Sequence, residues 1–362
     1  MKKSILMAFV ILSLTLFVQA QSNPDGFTEG SQIYSEGFDS AGTLSTNFAS
    51  QTTGQTTIEV IDYTGKKVWG GQGDSDTTYG CEDLSGTTFT DFDIPVAPNT
   101  GDSSKNALRM IANFTGSADD GAVANLYTND IFDGDYRVKV DIFMRINGPA
   151  DGGGSGSTER CTVGINHSGT KVNNYLQSDT TIYPIDTDGY FYTMNGERGS
   201  GFNDYCLFEG TSGEDPFVWA RDVNPCGEID TENPDQYVGA GIGDGDENAI
   251  LNLLPYGVDK WRYRGAPGDS WVTLIIDFYK YYGIQKVTLY LDNNDGTVAE
   301  LTTYSDTDAT YESGKILMGY MDDYSSENDA EDSFVLFDNL EVFQLDPPPP
   351  PLSADSVWSL YE

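Results

Sequence analysis

The strongest constraint on the fold is a two-residue alternation that no helix can accommodate. From Tyr136 onward, Tyr136, Val138, Val140, Ile142, Met144 and Ile146 fall on one face, and Arg137, Lys139, Asp141 and Arg145 on the other, with Phe143 as the exception. Side chains in a strand point alternately to opposite faces, so this pattern predicts a strand with one face in a core and the other in solvent. Leu108, Met110, Ala112 and Phe114 alternate in the same way against Arg109, Ile111 and Asn113. Val287, Leu289 and Leu291 do so against Lys286, Thr288 and Tyr290, before Asp292-Asn293-Asn294-Asp295-Gly296 supplies a turn. Segments 272–278 and 334–343 are more continuously apolar, as strands covered on both faces are. With no helical periodicity elsewhere, the chain is expected to be all-β: an antiparallel two-sheet sandwich with long loop insertions.

The boundaries come from composition. Lys2 and Lys3 precede an apolar run from Ile5 to Val18, and Ala20 follows. That run is too short to span a bilayer and reads as a signal peptide over 1–20, so the chain is expected to be secreted, extracellular or at the cell surface. No later apolar run reaches membrane-spanning length. The sandwich is expected over 21–346, with a loop-rich insertion at about 150–268 that opens on Asp151-Gly152-Gly153-Gly154. Asp346 is followed by Pro347 to Pro351, a stiff polyproline spacer before the short tail of 347–362.

Charge and cysteines narrow the functional classes. With 57 acidic against 19 basic residues and a formal net charge of −38, the chain repels nucleic acid and anionic membranes. Such a balance suits salty media, divalent cations, or neutral or cationic ligands. Cys81, Cys161, Cys206 and Cys226 in an exported chain are expected to form two disulfides. Three pairings are possible; Cys206 with Cys226, stapling a turn-rich excursion, and Cys81 with Cys161 is the preferred one. There is no C-x-x-C pair to support a zinc or redox motif.

Trp271 leads the strand 272–277, and Val287-Thr288-Leu289-Tyr290-Leu291-Asp292 follows. This resembles the hairpin of laminin G-like and pentraxin-like sandwiches, in which a Trp-led strand pairs with a V-x-L-Y-V-D-G strand; here Asn293 stands where the pattern has glycine. Tyr34-Ser35-Glu36-Gly37-Phe38-Asp39 and the stretch from Phe334 to Val342 resemble the first and last strands of such domains, which lie side by side. The resemblance is to the concanavalin A-like jelly-roll superfamily and covers nearly the whole body. It implies a structural calcium ion where the terminal strands meet, with Glu36 and Asp338 as carboxylate ligands.

Catalytic signals are sparse. The single histidine, His167, reads as a bystander, hydrogen-bonded or at the surface. The E-x-D-x-x-E string of laminarinase-like hydrolases is missing, and so is the Gln-x-His string of alginate-lyase-like sandwiches. The acidic runs at 186–189 and 243–248 do not complete an EF-hand loop. Sugar binding would use aromatic faces beside hydrogen-bonding side chains, and the loop region offers Tyr190, Tyr192, Trp219 with Arg221, and Trp261 with Tyr263. The leading expectation is a carbohydrate-binding or adhesion protein without catalytic activity, partnered by a polysaccharide or cell-surface glycan. Its rivals are a polysaccharide hydrolase or lyase and a structural matrix component; oligomeric state is not set by the sequence.

Overall fold

A computed structural model describes residues 23–68, 92–101, 103–112, 121–145, 159–173, 187–194, 205–210, 217–221, 270–294, 298–322 and 333–349. Two antiparallel eight-stranded sheets pack face to face. The first contains β1 (Thr28–Glu36), β3 (Thr56–Asp62), β6 (Asn106–Ala112), β9 (Tyr136–Arg145), β14 (Trp271–Tyr281), β15 (Ile284–Asp292), β16 (Val298–Asp306) and β18 (Phe334–Asp346). Its order is β16-β15-β14-β9-β18-β6-β3, with β1 also on β18. The second contains β2 (Phe48–Thr53), β7 (Ala122–Thr128), β8 (Phe132–Asp133), β10 (Glu159–His167), β11 (Tyr190–Met194), β12 (Tyr205–Glu209), β13 (Phe217–Arg221) and β17 (Ser313–Asp322). Its order is β13-β12-β11-β10-β17-β7-β2, with β8 on β17. A six-residue helix, α1 (Gly42–Asn47), and a small ribbon of β4 (Lys67–Val68) with β5 (Phe92–Asp93) complete the described elements.

The alternation in the sequence builds the core. Val138, Val140 and Ile142 of β9 meet Val163 and Ile165 of β10 and Ile316 and Met318 of β17 between the sheets. The expected pairing of chain ends is present: β1 runs antiparallel to β18 from Thr28↔Asp346 to Glu36↔Leu340. The Trp-led hairpin is also present, β14 on β15 from Thr273↔Asp292 to Tyr281↔Ile284. Its turn is Tyr282-Gly283, with φ of 50° and 82°. Positive φ at both central residues marks a type I′ turn, whose twist matches that of the strands it joins.

The structure differs from the expectation of half-solvated strands. The outer faces are covered as well, so Arg137, Asp141 and Arg145 are buried on β9 although they alternate as a solvent face would. Phe143, the exception to the pattern, belongs to a second cluster outside the first sheet with Tyr63, Ile94, Trp271, Phe334 and Leu336. The Trp271 indole anchors this layer by donating to the Pro95 carbonyl at 2.9 Å. Region 150–268, expected to be loop-rich with short strands, supplies four strands of the second sheet, β10 to β13.

Candidate functional site

Strands β11 and β12 of the second sheet and β15 and β16 of the first meet at one end of the sandwich in a cluster of tyrosines and carboxylates. Pairing of Tyr190 with Glu209, and of Gln285 with Asp306, brings these four residues to the same end. The Tyr190 hydroxyl donates to Asp306 Oδ2 at 2.5 Å, and the Gln285 amide donates to the Tyr190 oxygen at 2.6 Å. The Tyr304 hydroxyl donates to Glu209 Oε2 at 2.6 Å, and the Tyr311 hydroxyl donates to the Gly210 carbonyl. Tyr190 lies 5.6 Å from Tyr311, edge to face, and 6.2 Å from Tyr304 between ring centroids.

The two carboxylates are tuned apart. Burial pushes Glu209 above its ordinary range and the neighbouring Asp306 charge adds to this. Burial also opposes ionisation of Asp306, but the Tyr190 hydroxyl and the N–H groups of Thr310, Asp308 and Ala309 outweigh it and hold the carboxyl low. Each Asp306 oxygen is already taken, Oδ1 by Asp308 N at 2.8 Å and Oδ2 by Tyr190 and by Thr310 N at 3.0 Å. Asp306 is only 4% exposed and therefore orders the cluster from behind, while Tyr304, Tyr311 and Glu209 are half-buried and form its accessible side.

The sequence-derived candidates divide. Tyr190 and Tyr192 are core residues, each 1% exposed, because their strand positions turn them between the sheets. Trp219 and Arg221 are placed on the edge strand β13, opposite Leu207 and Tyr205 in register. Trp261 and Tyr263 lie outside the described residues, as do Cys81 and Cys226. No disulfide is seen among the described residues. Cys161 faces the central core and Cys206 the outer cluster of the second sheet, so they cannot pair with each other. Cys161 is a buried thiol whose ionisation burial suppresses.

Glu36 and Asp338 do not converge on a cation. Glu36 turns toward the second sheet, accepting from Phe38 N and Asn47 Nδ2, both at 2.9 Å. Asp338 turns to the outer side, accepting from Thr100 Oγ1 at 3.1 Å and its neighbour Asn339 N at 2.8 Å. A hard cation needs several oxygens on one point. The two carboxylates do not fit calcium, and the described residues hold no metal-competent group of three or more His, Cys, Asp or Glu side chains.

His167 is hydrogen-bonded and sealed. Nδ1 lies 3.1 Å from Asp188 Oδ1 and 3.0 Å from Asn173 Nδ2, and the ring packs on Tyr127 and Phe191. A β-carbon on Gly164 would lie 2.1 Å from His167 Nε2, so only glycine lets the ring fold back over its own strand. The Nε2 atom is buried among the described residues.

Strand order decides the fold. The chain folds as an antiparallel two-sheet jelly-roll β-sandwich. Solved structures similar to it include a protein of unknown function with a galectin-like fold from Bacillus subtilis, at 13% identity and TM-score 0.43, covering 88% of this chain and 98% of that one. Lectin I-B4 from Griffonia simplicifolia is similar at 9% identity and TM-score 0.36 over 66% and 88% of the two chains. A legume lectin-like domain from Entamoeba histolytica is similar at 9% and 0.37 over 67% and 85%. No family model and no curated protein matches the sequence.

Proposed function

We propose that this chain is a secreted, non-catalytic carbohydrate-binding protein that presents the Tyr304–Tyr311 end of the sandwich to a neutral polysaccharide or cell-surface glycan. The observation that carries the reading is a half-buried tyrosine, Tyr304, hydrogen-bonded to a half-buried carboxylate, Glu209, beside a second half-buried ring, Tyr311, on a buried hydrogen-bonded support. A pyranose offers an apolar face to a ring and hydroxyls to a carboxylate, so this mixture suits it. The net charge of −38 favours an uncharged polymer over an acidic one. Trp219, Arg221, Trp261 and Tyr263 are proposed to extend the surface.

One observation favours hydrolysis instead: Glu209 is raised and Asp306 lowered, the division of labour of an acid and its ionised partner. The occupied oxygens and near-complete burial of Asp306 weigh against it. Affinity electrophoresis through a panel of neutral polysaccharides, with the same gels assayed for released sugar, separates the two. Retardation without release, weakened by Tyr304→Ala, is the expected result. Release of sugar abolished by Glu209→Gln would replace binding with catalysis, and no retardation on any polymer would remove both.

A further inference from the structure

The β14–β15 hairpin carries its turn at the same end of the sandwich. Gln285, three residues beyond Tyr282, donates to the Tyr311 carbonyl at 2.9 Å, and Lys280, two residues before it, pairs with Glu312. The tip therefore stands directly beside the tyrosine–carboxylate cluster. Tyr282 is 84% exposed, the most exposed of the large hydrophobic side chains described. Its ring centroid lies 4.4 Å from that of Tyr281, and the Lys286 ammonium lies 5.3 Å from the Tyr281 ring. Ile284, 38% exposed, continues the apolar surface.

An exposed aromatic by itself is ordinary. The backbone beneath this one is not. Tyr282 has φ of 50°, a left-handed conformation that an L side chain with a bulky ring adopts at a cost. Type I′ turns favour Asn-Gly, because asparagine tolerates this region and glycine enters it freely. The chain keeps the glycine, at φ 82°, and places a tyrosine where asparagine would fold better. A ring that is both strained and solvent-exposed adds little to folding, and strained residues cluster where a site needs them.

We infer that Tyr282 is a stacking platform for one pyranose unit of a neutral polysaccharide, lying alongside the Tyr304–Tyr311 surface; this inference rests on the carbohydrate-binding reading above. The Lys280–Glu312 pair on the inner side of the tip supplies a donor and an acceptor for sugar hydroxyls, with side chains 47% and 60% exposed. Glu312 is paired with Lys280 and Asp25 with Lys286, while Asp135, Glu209 and Asp306 beside them form no ion pair with a lysine among the described residues. The surroundings of the platform stay acidic, which disfavours an anionic polymer and leaves an uncharged one as the ligand.

The test uses the full chain with Tyr282→Asn and Tyr282→Phe. Tyr282→Asn creates the preferred Asn-Gly turn, so its melting temperature is expected to equal or exceed that of the parent, while affinity for the retarding polysaccharide falls about tenfold. Tyr282→Phe keeps the ring and is expected to bind within about twofold. If Tyr282→Asn binds as the parent does, the platform is refuted while the carbohydrate-binding reading stands. A Tyr282→Asn variant that melts well below the parent refutes the strained-ring argument. If the parent chain itself is retarded by no neutral polysaccharide, both readings fall together.

Discussion

The two outer faces of the sandwich bury charge in contrasting ways. On the first sheet, Arg137 is clamped by Asp277, Nε to Oδ1 at 2.6 Å and Nη2 to Oδ2 at 2.8 Å, with Glu29 on Nη1 at 3.3 Å. Beside it, Asp141 and Asp338 face each other on adjacent strands in direct register, held by the neutral donors Asn99, Thr100, Thr273 and Asn339. Burial pushes Asp338 up to about 7, and the charges of Asp141 and Asp39 push the same way. On the second sheet, burial opposes ionisation of Asp188 too, but His167 outweighs it and holds the carboxyl below its ordinary range. Neutral amides and hydroxyls around Asp338 do not offset its burial and its acidic neighbours, whereas the His167 and Ser168 contacts of Asp188 do.

Breaking the clamp should have the largest effect. Arg137→Met leaves Asp277, fully buried, without its cation and is expected to cost about 3–5 kcal/mol in denaturant unfolding; adding Asp277→Leu should restore much of it. Retention of stability by the single variant would show that water reaches Asp277. The protonated acid comes next. Asp338 holds its proton in the folded chain up to about pH 7, but in the unfolded chain only up to about pH 4. Stability should therefore fall as pH rises between those values and level off above them. Asp338→Asn should remove that fall and stabilise the chain at pH 8 by about 2–4 kcal/mol. On the second face the slope is reversed: a lowered acid stabilises above pH 4, and that stabilisation is lost as pH drops further. Asp188→Asn should abolish the acid-side loss and cost about 1–3 kcal/mol at pH 7, measured by thermal melts across pH. Parallel pH slopes in the two variants would erase the contrast between the faces.

Local pattern made much of this fold legible. The alternation of β9 is written within one ten-residue strand, within reach of a two-residue period, while the hairpin of β14 and β15 and the meeting of β1 with β18 are legible through the resemblance to known sandwiches. What the pattern does not carry is which remote segment lies on top. Arg137 and Asp141 look solvated until Glu29 and Asn99 reach them from more than 40 residues away. The same blindness hides that Tyr190 and Tyr192 lie in the core, since a tyrosine in a short strand reads alike whichever way the strand faces. Strands β10 to β13 were submerged in glycine, asparagine and charge: β10 itself carries Glu159, Arg160 and His167, all buried. For the site, Tyr282-Gly283 between two apolar runs was a readable turn signal, and the oddity of tyrosine in that position was the overlooked clue.

The pairing of first strand with last also sets the order of events at the chain's birth. Thr28 finds its backbone partner in Asp346, and β18 separates β9 from β6, so the first sheet has a gap at its centre until β18 has been made. Contacts of such separation form late and slowly. A nascent chain lacking its final strand exposes the facing edges of β6 and β9, which are open to pairing with a second copy until β18 arrives. Truncation within β18 therefore does more than shorten the protein: it leaves a sheet in two halves, and aggregation rather than a smaller folded domain is the expected product.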